Sequence, residues 1–208
     1  MDKDDGAVSG RITMEKEMKL YKSLNRLAKA DGCVIFGDAD DRVIPLAELK
    51  ETFELQNNYY NRSFSGLSLS NSADLFDQCV APLCPKDIYL HIGQNDLSLF
   101  EKEPSAFDQG YTSLIKHIRN VCKHCSLAII TLRNADNDPL IEQLNKHLAV
   151  IAQNEGCELC DIAKQQAWNP RQTKEVVSFL YSMGFVRPLT NKRPVQDVAR
   201  ILFCYNLI

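Results

Sequence analysis

The residues best suited to chemistry stand at the ends of two apolar runs. Cys33-Val34-Ile35-Phe36 leads into Gly37-Asp38-Ala39-Asp40, and Ile88-Tyr89-Leu90 leads into His91-Ile92-Gly93-Gln94-Asn95-Asp96. An apolar run closed by glycine and polar residues reads as a buried strand turning toward a helix. The Asp38 and Asp40 carboxylates could activate a water molecule, and preorganised donors such as a side-chain amide stabilise a developing oxyanion. No partner acid or metal motif accompanies the two aspartates, so the plainer expectation is structural. Asp38 then braces the turn and Asp40 pairs with a cation. Between them Ala39 offers only a methyl group, which cannot attack a carbonyl.

A second constellation is Cys122-Lys123-His124-Cys125 with Cys157-Glu158-Leu159-Cys160. Two C-x-x-C pairs can hold zinc as tetrahedral thiolates. Against this, Cys157 and Cys160 face opposite sides of a regular strand, and buried free cysteine commonly serves as a small apolar group. The expectation is no metal and no cofactor. Of the histidines, His91 falls on a strand and is expected to pack beside the core. His117, His124 and His147 fall on helical or helix-end segments and read as solvated.

The elements that must position these residues alternate apolar runs with amphipathic stretches, as β-α-β units and a parallel sheet require. Strands are expected over 33–38, 59–64, 87–93, 127–132 and 157–162. Helices are expected over 14–30, 46–54, 71–80, 104–122, 139–153, 171–181 and 194–203. Pro104 and Pro139 suit a first helical turn, and Gly32 and Gly156 suit left-handed helix ends. Five strands with interleaved helices make a doubly wound α/β sandwich, whose ligands sit beyond the carboxyl ends of the strands.

Taken together, Gly37-Asp38-Ala39, then Asn61-Arg62-Ser63-Phe64-Ser65-Gly66, then Gly93-Gln94-Asn95-Asp96 resemble the blocks of the SGNH (GDSL-type) ester hydrolases. The resemblance runs from about Lys29 to Leu207 and implies a three-layer α/β/α sandwich with strand order 2-1-3-4-5. It also implies that Gly66 and Asn95 form an oxyanion hole, supported by Asp38, Asp40 and Gly93. Ala39 occupies the position of the serine nucleophile. Asp40 stands where an aliphatic residue is usual, and Ser63 where glycine is common. The last block, Asp-x-x-His, best matches Gly184-Phe185-Val186-Arg187, so Gly184 and Arg187 replace the acid and the base. Arginine stays protonated and cannot act as a base. The whole triad is absent from this alignment, which points to a homologue without esterase chemistry.

Such a chain could still bind a small acylated or anionic ligand, with Gly66, Asn95 and Arg187 around it. That reading expects an open cleft with Asn95 pointing into it. One alternative is an active ester hydrolase of the small-ester or carbohydrate deacetylase type, whose serine was replaced by Ala39. Another is a protein-interaction module whose pocket is closed by an Asp40–Arg187 salt bridge.

Bulk properties fit one domain. The chain has 208 residues, 45% hydrophobic and 25% charged, with a net charge of −3. These are globular values with no basic excess for nucleic acid. No apolar stretch approaches the roughly 20 residues that cross a bilayer. Residues 1–13 read as a polar flexible leader without a signal sequence and 14–208 as one domain. Eight cysteines are too few for a disulfide scaffold, so reduced thiols in a cytoplasm are expected.

Overall fold

A computed structural model describes residues 4–164 and 195–203. Five parallel strands, β1 (Cys33–Gly37), β2 (Tyr59–Asn61), β3 (Asp87–His91), β4 (Ser126–Ile130) and β5 (Glu158–Cys160), form one sheet in the order β2-β1-β3-β4-β5. That is the expected order. Around it lie α1 (Asp4–Asn25), α2 (Leu46–Thr52), α3 (Leu69–Leu75), α4 (Leu97–Lys102), α5 (Pro104–Val121), α6 (Pro139–Asn154) and α7 (Val195–Phe203).

Alternation along the strands divides the core into two layers. Val34, Phe36, Ile88, Leu90, Leu127 and Ile129 face one side, packed under side chains of α1, α3, α5 and α6. Cys33, Ile35, Tyr89, Ala128 and Ile130 face the other, packed against Leu49 of α2 and Leu202 and Phe203 of α7. Burial on both faces explains why the central strands read as unbroken apolar runs.

Several elements depart from expectation. The first helix begins at Asp4, inside the stretch expected to be a flexible leader, and ends at Asn25. Asp31, not Gly32, then takes the left-handed conformation, with φ 61°. Gly32 is needed for a different reason, since a Cβ there would lie 2.6 Å from the Tyr60 ring. The helix expected over 71–80 starts earlier, at Leu69, and gives way to a π-turn over Phe76–Val80. Helix α4 was not expected, because its six residues are too few to show a period. Gly156 does take the left-handed conformation, at φ 59°. The expected helix over 171–181, together with Gly184 and Arg187, lies outside the described residues.

Candidate functional site

The carboxyl ends of β1 and β3 lie side by side, with Gly37 in register with His91. This register places the two chemistry-bearing blocks together. After Gly37 the chain makes a 3-10 turn over Ala39–Val43, capped by Asp38. The Asp38 carboxylate accepts the Ala39 N–H at 2.5 Å and the Asn95 side-chain amide at 2.8 Å. The second amide proton of Asn95 goes to the Leu67 carbonyl at 2.9 Å. Asn95 therefore spends both protons inside the protein. Burial pushes the Asp38 carboxyl above the ordinary aspartate range, against the pull of those two hydrogen bonds.

Gly93 takes φ 137° and Gly66 takes φ 76°, backbone that an L side chain rarely adopts. Each is thus fixed by its turn. The Gly66 carbonyl accepts from Asn71, the third helical residue of α3, whose side chain and that of Ser68 form a reciprocal cap. Asp96 accepts the Leu69 N–H with both oxygens at 3.1 Å, tying the third block to the start of the same helix. Its burial likewise raises its carboxyl pKa.

The structure adds residues that the sequence reading missed. Asp41, fully buried, folds back over Gly37 and places its two carboxylate oxygens 2.8 and 3.0 Å from His91 Nδ1. A Cβ on Gly37 would fall 2.0 Å from Asp41 Oδ2, so the glycine makes room for this carboxylate. Asn61 donates to the Asp41 carbonyl at 2.7 Å and holds the turn against β2. His91 packs beside the core as expected, 5.4 Å from the Phe203 ring, but is also half of a buried acid–imidazole pair. The acidic run at 38, 40 and 41 was a visible hint. Which of its members turns inward depended on the register of two distant strands.

A second missed residue is Glu17 of α1, 6% exposed. It accepts from Ser65 N–H and Oγ, both at 3.0 Å, and pairs with Arg42 at 2.7 Å. The helix thereby clamps the loop that carries Gly66. Asp40 is exposed and makes no ion pair among the described residues.

Two spaces adjoin the turn. A groove of about 610 Å³ runs between α1 and β2, with Leu20, Leu24, Val43, Tyr59 and Tyr60 along it and Ala39 in its wall. A smaller cavity of about 40 Å³ lies on the His91 side of the turn.

The cysteine quartet does not assemble. Cys160 is buried in one core layer, whereas Cys157 packs against the other. Among the described residues no group of three or more histidine, cysteine or acidic side chains could hold a metal ion. Burial pushes the Cys125 thiol up to about 11 and raises Cys122 and Cys157 as well. Protonated thiols of this kind are inert. His117 and His147 pair with Asp77 at 2.8 Å and Asp108 at 2.9 Å, so neither is simply solvated.

The overall fold matches that of solved structures. An acetyl xylan esterase superposes with a TM-score of 0.56 at 14% identity, covering 73% of this chain and 98% of its own. A Streptococcus pneumonia protein described as a platelet activating factor reaches 0.65 at 15% identity, covering 84% and 96%. A GDSL-like lipase from Bacteroides thetaiotaomicron reaches 0.55 at 16% identity, covering 69% and 77%. The chain has the SGNH hydrolase fold. No family model and no curated protein matches the sequence itself. On the SGNH fold, Ala39 stands at the end of β1 where the resemblance implies the nucleophile. No helix among the described residues is long and apolar enough to cross a membrane.

Proposed function

We propose that this chain is a non-catalytic SGNH-fold protein that binds a small acylated ligand beside Ala39. One observation carries the loss of chemistry. A carboxylate of the chain, Asp38, accepts both the Ala39 N–H and the Asn95 amide. An oxyanion hole works by holding donors ready for charge that develops in the transition state. Donors already bonded to a resident anion offer nothing further, and the adjacent methyl of Ala39 cannot attack. Loss of the acid and base at Gly184 and Arg187, as the alignment implies, agrees with this.

The groove supports the binding half of the reading. Its leucines, valine and tyrosines form an apolar trough with a few polar groups, the usual lining of a small-molecule site. The structural neighbours named above include an esterase of acetylated xylan and a lipase, so acylated compounds are the ligand class chosen by analogy. The test is hydrolysis of a short-chain aryl acetate by this chain and by Ala39→Ser in parallel. Neither should turn over above the uncatalysed rate. Turnover in the serine variant alone would mean that a working base survives, and would overturn the proposal in favour of an esterase disabled at one residue.

A further inference from the structure

The groove beside Ala39 carries a charge that its own side chains do not balance. Arg62 lies in its wall and is 4% exposed. The Nε and Nη2 groups of Arg62 donate to the Asn25 side-chain oxygen at 2.9 and 2.7 Å, and Nη1 donates to the Asn61 carbonyl at 2.7 Å. The rings of Tyr21 and Tyr60 lie 5.1 and 5.6 Å from the guanidinium carbon. All of these partners are neutral, and Arg62 makes no ion pair among the described residues. Buried charges are ordinarily paired with an opposite charge. The other charged groups of the lining, Glu17 and Arg42, pair with each other at 2.7 Å. The charge of Arg62 is left over.

Arg42 supplies the hydrogen-bond donors that Arg62 has already spent. Its side chain is 41% exposed, and its Nη1 donates to Ser65 Oγ and to Glu17, both at 2.7 Å. Its Nε and Nη2 have no partner among the described residues. That edge of a guanidinium offers two parallel N–H groups, a shape that fits one carboxylate. Apolar surface adjoins it. Leu20, Leu24 and Val43 are 55%, 40% and 39% exposed, and all three line the same groove. Large apolar side chains left exposed together mark a contact surface. The acidic groups of the nearby turn belong elsewhere, since Asp38 and Asp40 line the smaller cavity and Asp41 is paired with His91.

We infer that the groove binds a free, single-chain carboxylate amphiphile. The alkyl chain lies along Leu20, Leu24 and Val43, and the carboxylate accepts from Nε and Nη2 of Arg42. Arg62 contributes through its field from within the wall and not as a donor, and the ligand's charge balances it. The inference rests on the groove being the ligand site proposed above, and adds that the ligand is an anion. A volume of about 610 Å³ is that of a site for one small molecule. A free molecule fits better than a membrane, because the groove is concave and the chain's net charge of −3 opposes an anionic lipid surface.

The test titrates the full-length chain by calorimetry with sodium octanoate, its neutral methyl ester and sodium acetate, all at equal ionic strength. Octanoate should bind saturably and about tenfold tighter than methyl octanoate, with no saturable binding of acetate over the same concentrations. Arg42→Met should lower octanoate affinity about tenfold and leave methyl octanoate unchanged. Leu24→Ser should weaken both. The wild-type comparison of acid with ester decides even where a variant fails to fold. Equal binding of acid and ester would overturn this inference and leave the acyl-ligand reading standing, whereas turnover of esters by Ala39→Ser would overturn that reading and leave the anion site. Absence of saturable octanoate binding, acetate bound as tightly as octanoate, or affinity unchanged in Arg42→Met would each overturn the inference. Sedimentation with anionic phospholipid vesicles in place of octanoate binding would do the same.

Discussion

The two sides of the turn after β1 use similar polar groups in opposite ways. On one side, Ala39 N–H, the Asn95 amide and the Leu67 carbonyl are all joined through Asp38 and one another. On the other, His91 Nε2 and Arg133 Nε are buried without a hydrogen-bond partner among the described residues. The first side looks like an esterase by residue type and is chemically saturated. The second carries no familiar signature and is unsatisfied. Residue identity marks where a resemblance places chemistry, whereas hydrogen-bond accounting marks which polar groups are already paired.

The comparison breaks most easily at Asp41, which belongs to the unsatisfied side and is closed over by the core. Asp41→Ala leaves the buried imidazole without its acid, and breaking such a pair costs about 3–5 kcal/mol. Urea unfolding should show a loss of that size. A loss under about 1 kcal/mol would mean that the pair does not hold the turn. A smaller effect probes the saturated side. Asn95→Ala strands the Leu67 carbonyl and half of Asp38, for an expected loss of about 1–3 kcal/mol. An unchanged midpoint would mean the amide was free for a ligand after all.

The smallest effect is a pH dependence. Because burial raises the folded-state pKa of Asp38 above the ordinary value near 4, the folded protein binds this proton more readily than the unfolded chain. Its contribution to stability is therefore present at low pH and declines as pH rises from about 4 through the raised value. Asp38→Asn removes that titration. The stability of the wild type relative to the variant should fall across this window in paired unfolding curves. A gap that stays constant or widens would show the carboxylate to be well solvated.

Much of the framework was legible in the sequence because it follows from local pattern. The apolar runs ending at Gly37 and His91 required buried strands, and the family blocks supplied the strand order. Pro104 and Pro139 marked helix starts correctly. The site was less legible. Asp41 looked no different from Asp40 until the register of Gly37 with His91 brought the imidazole beside it. Glu17 lies 48 residues before the serine it clamps, a contact no window of sequence contains. Asn95 was identified as a donor, but what it donates to was set by an aspartate 57 positions away.

The shape of the sheet has a consequence for association. Its outer strands, β2 and β5, are three residues each, while the inner three strands have five. Alternation in a parallel ladder turns only every second residue's backbone outward, so β2 offers an intruding strand the groups of Tyr59 and Asn61. The Asn61 carbonyl is already taken by Arg62 at 2.7 Å. So short a template leaves a neighbouring chain little to zip onto, and the five-strand count is self-limiting. A sheet of this kind resists growing into fibres even while its central strands, exposed alone, would be strongly adhesive.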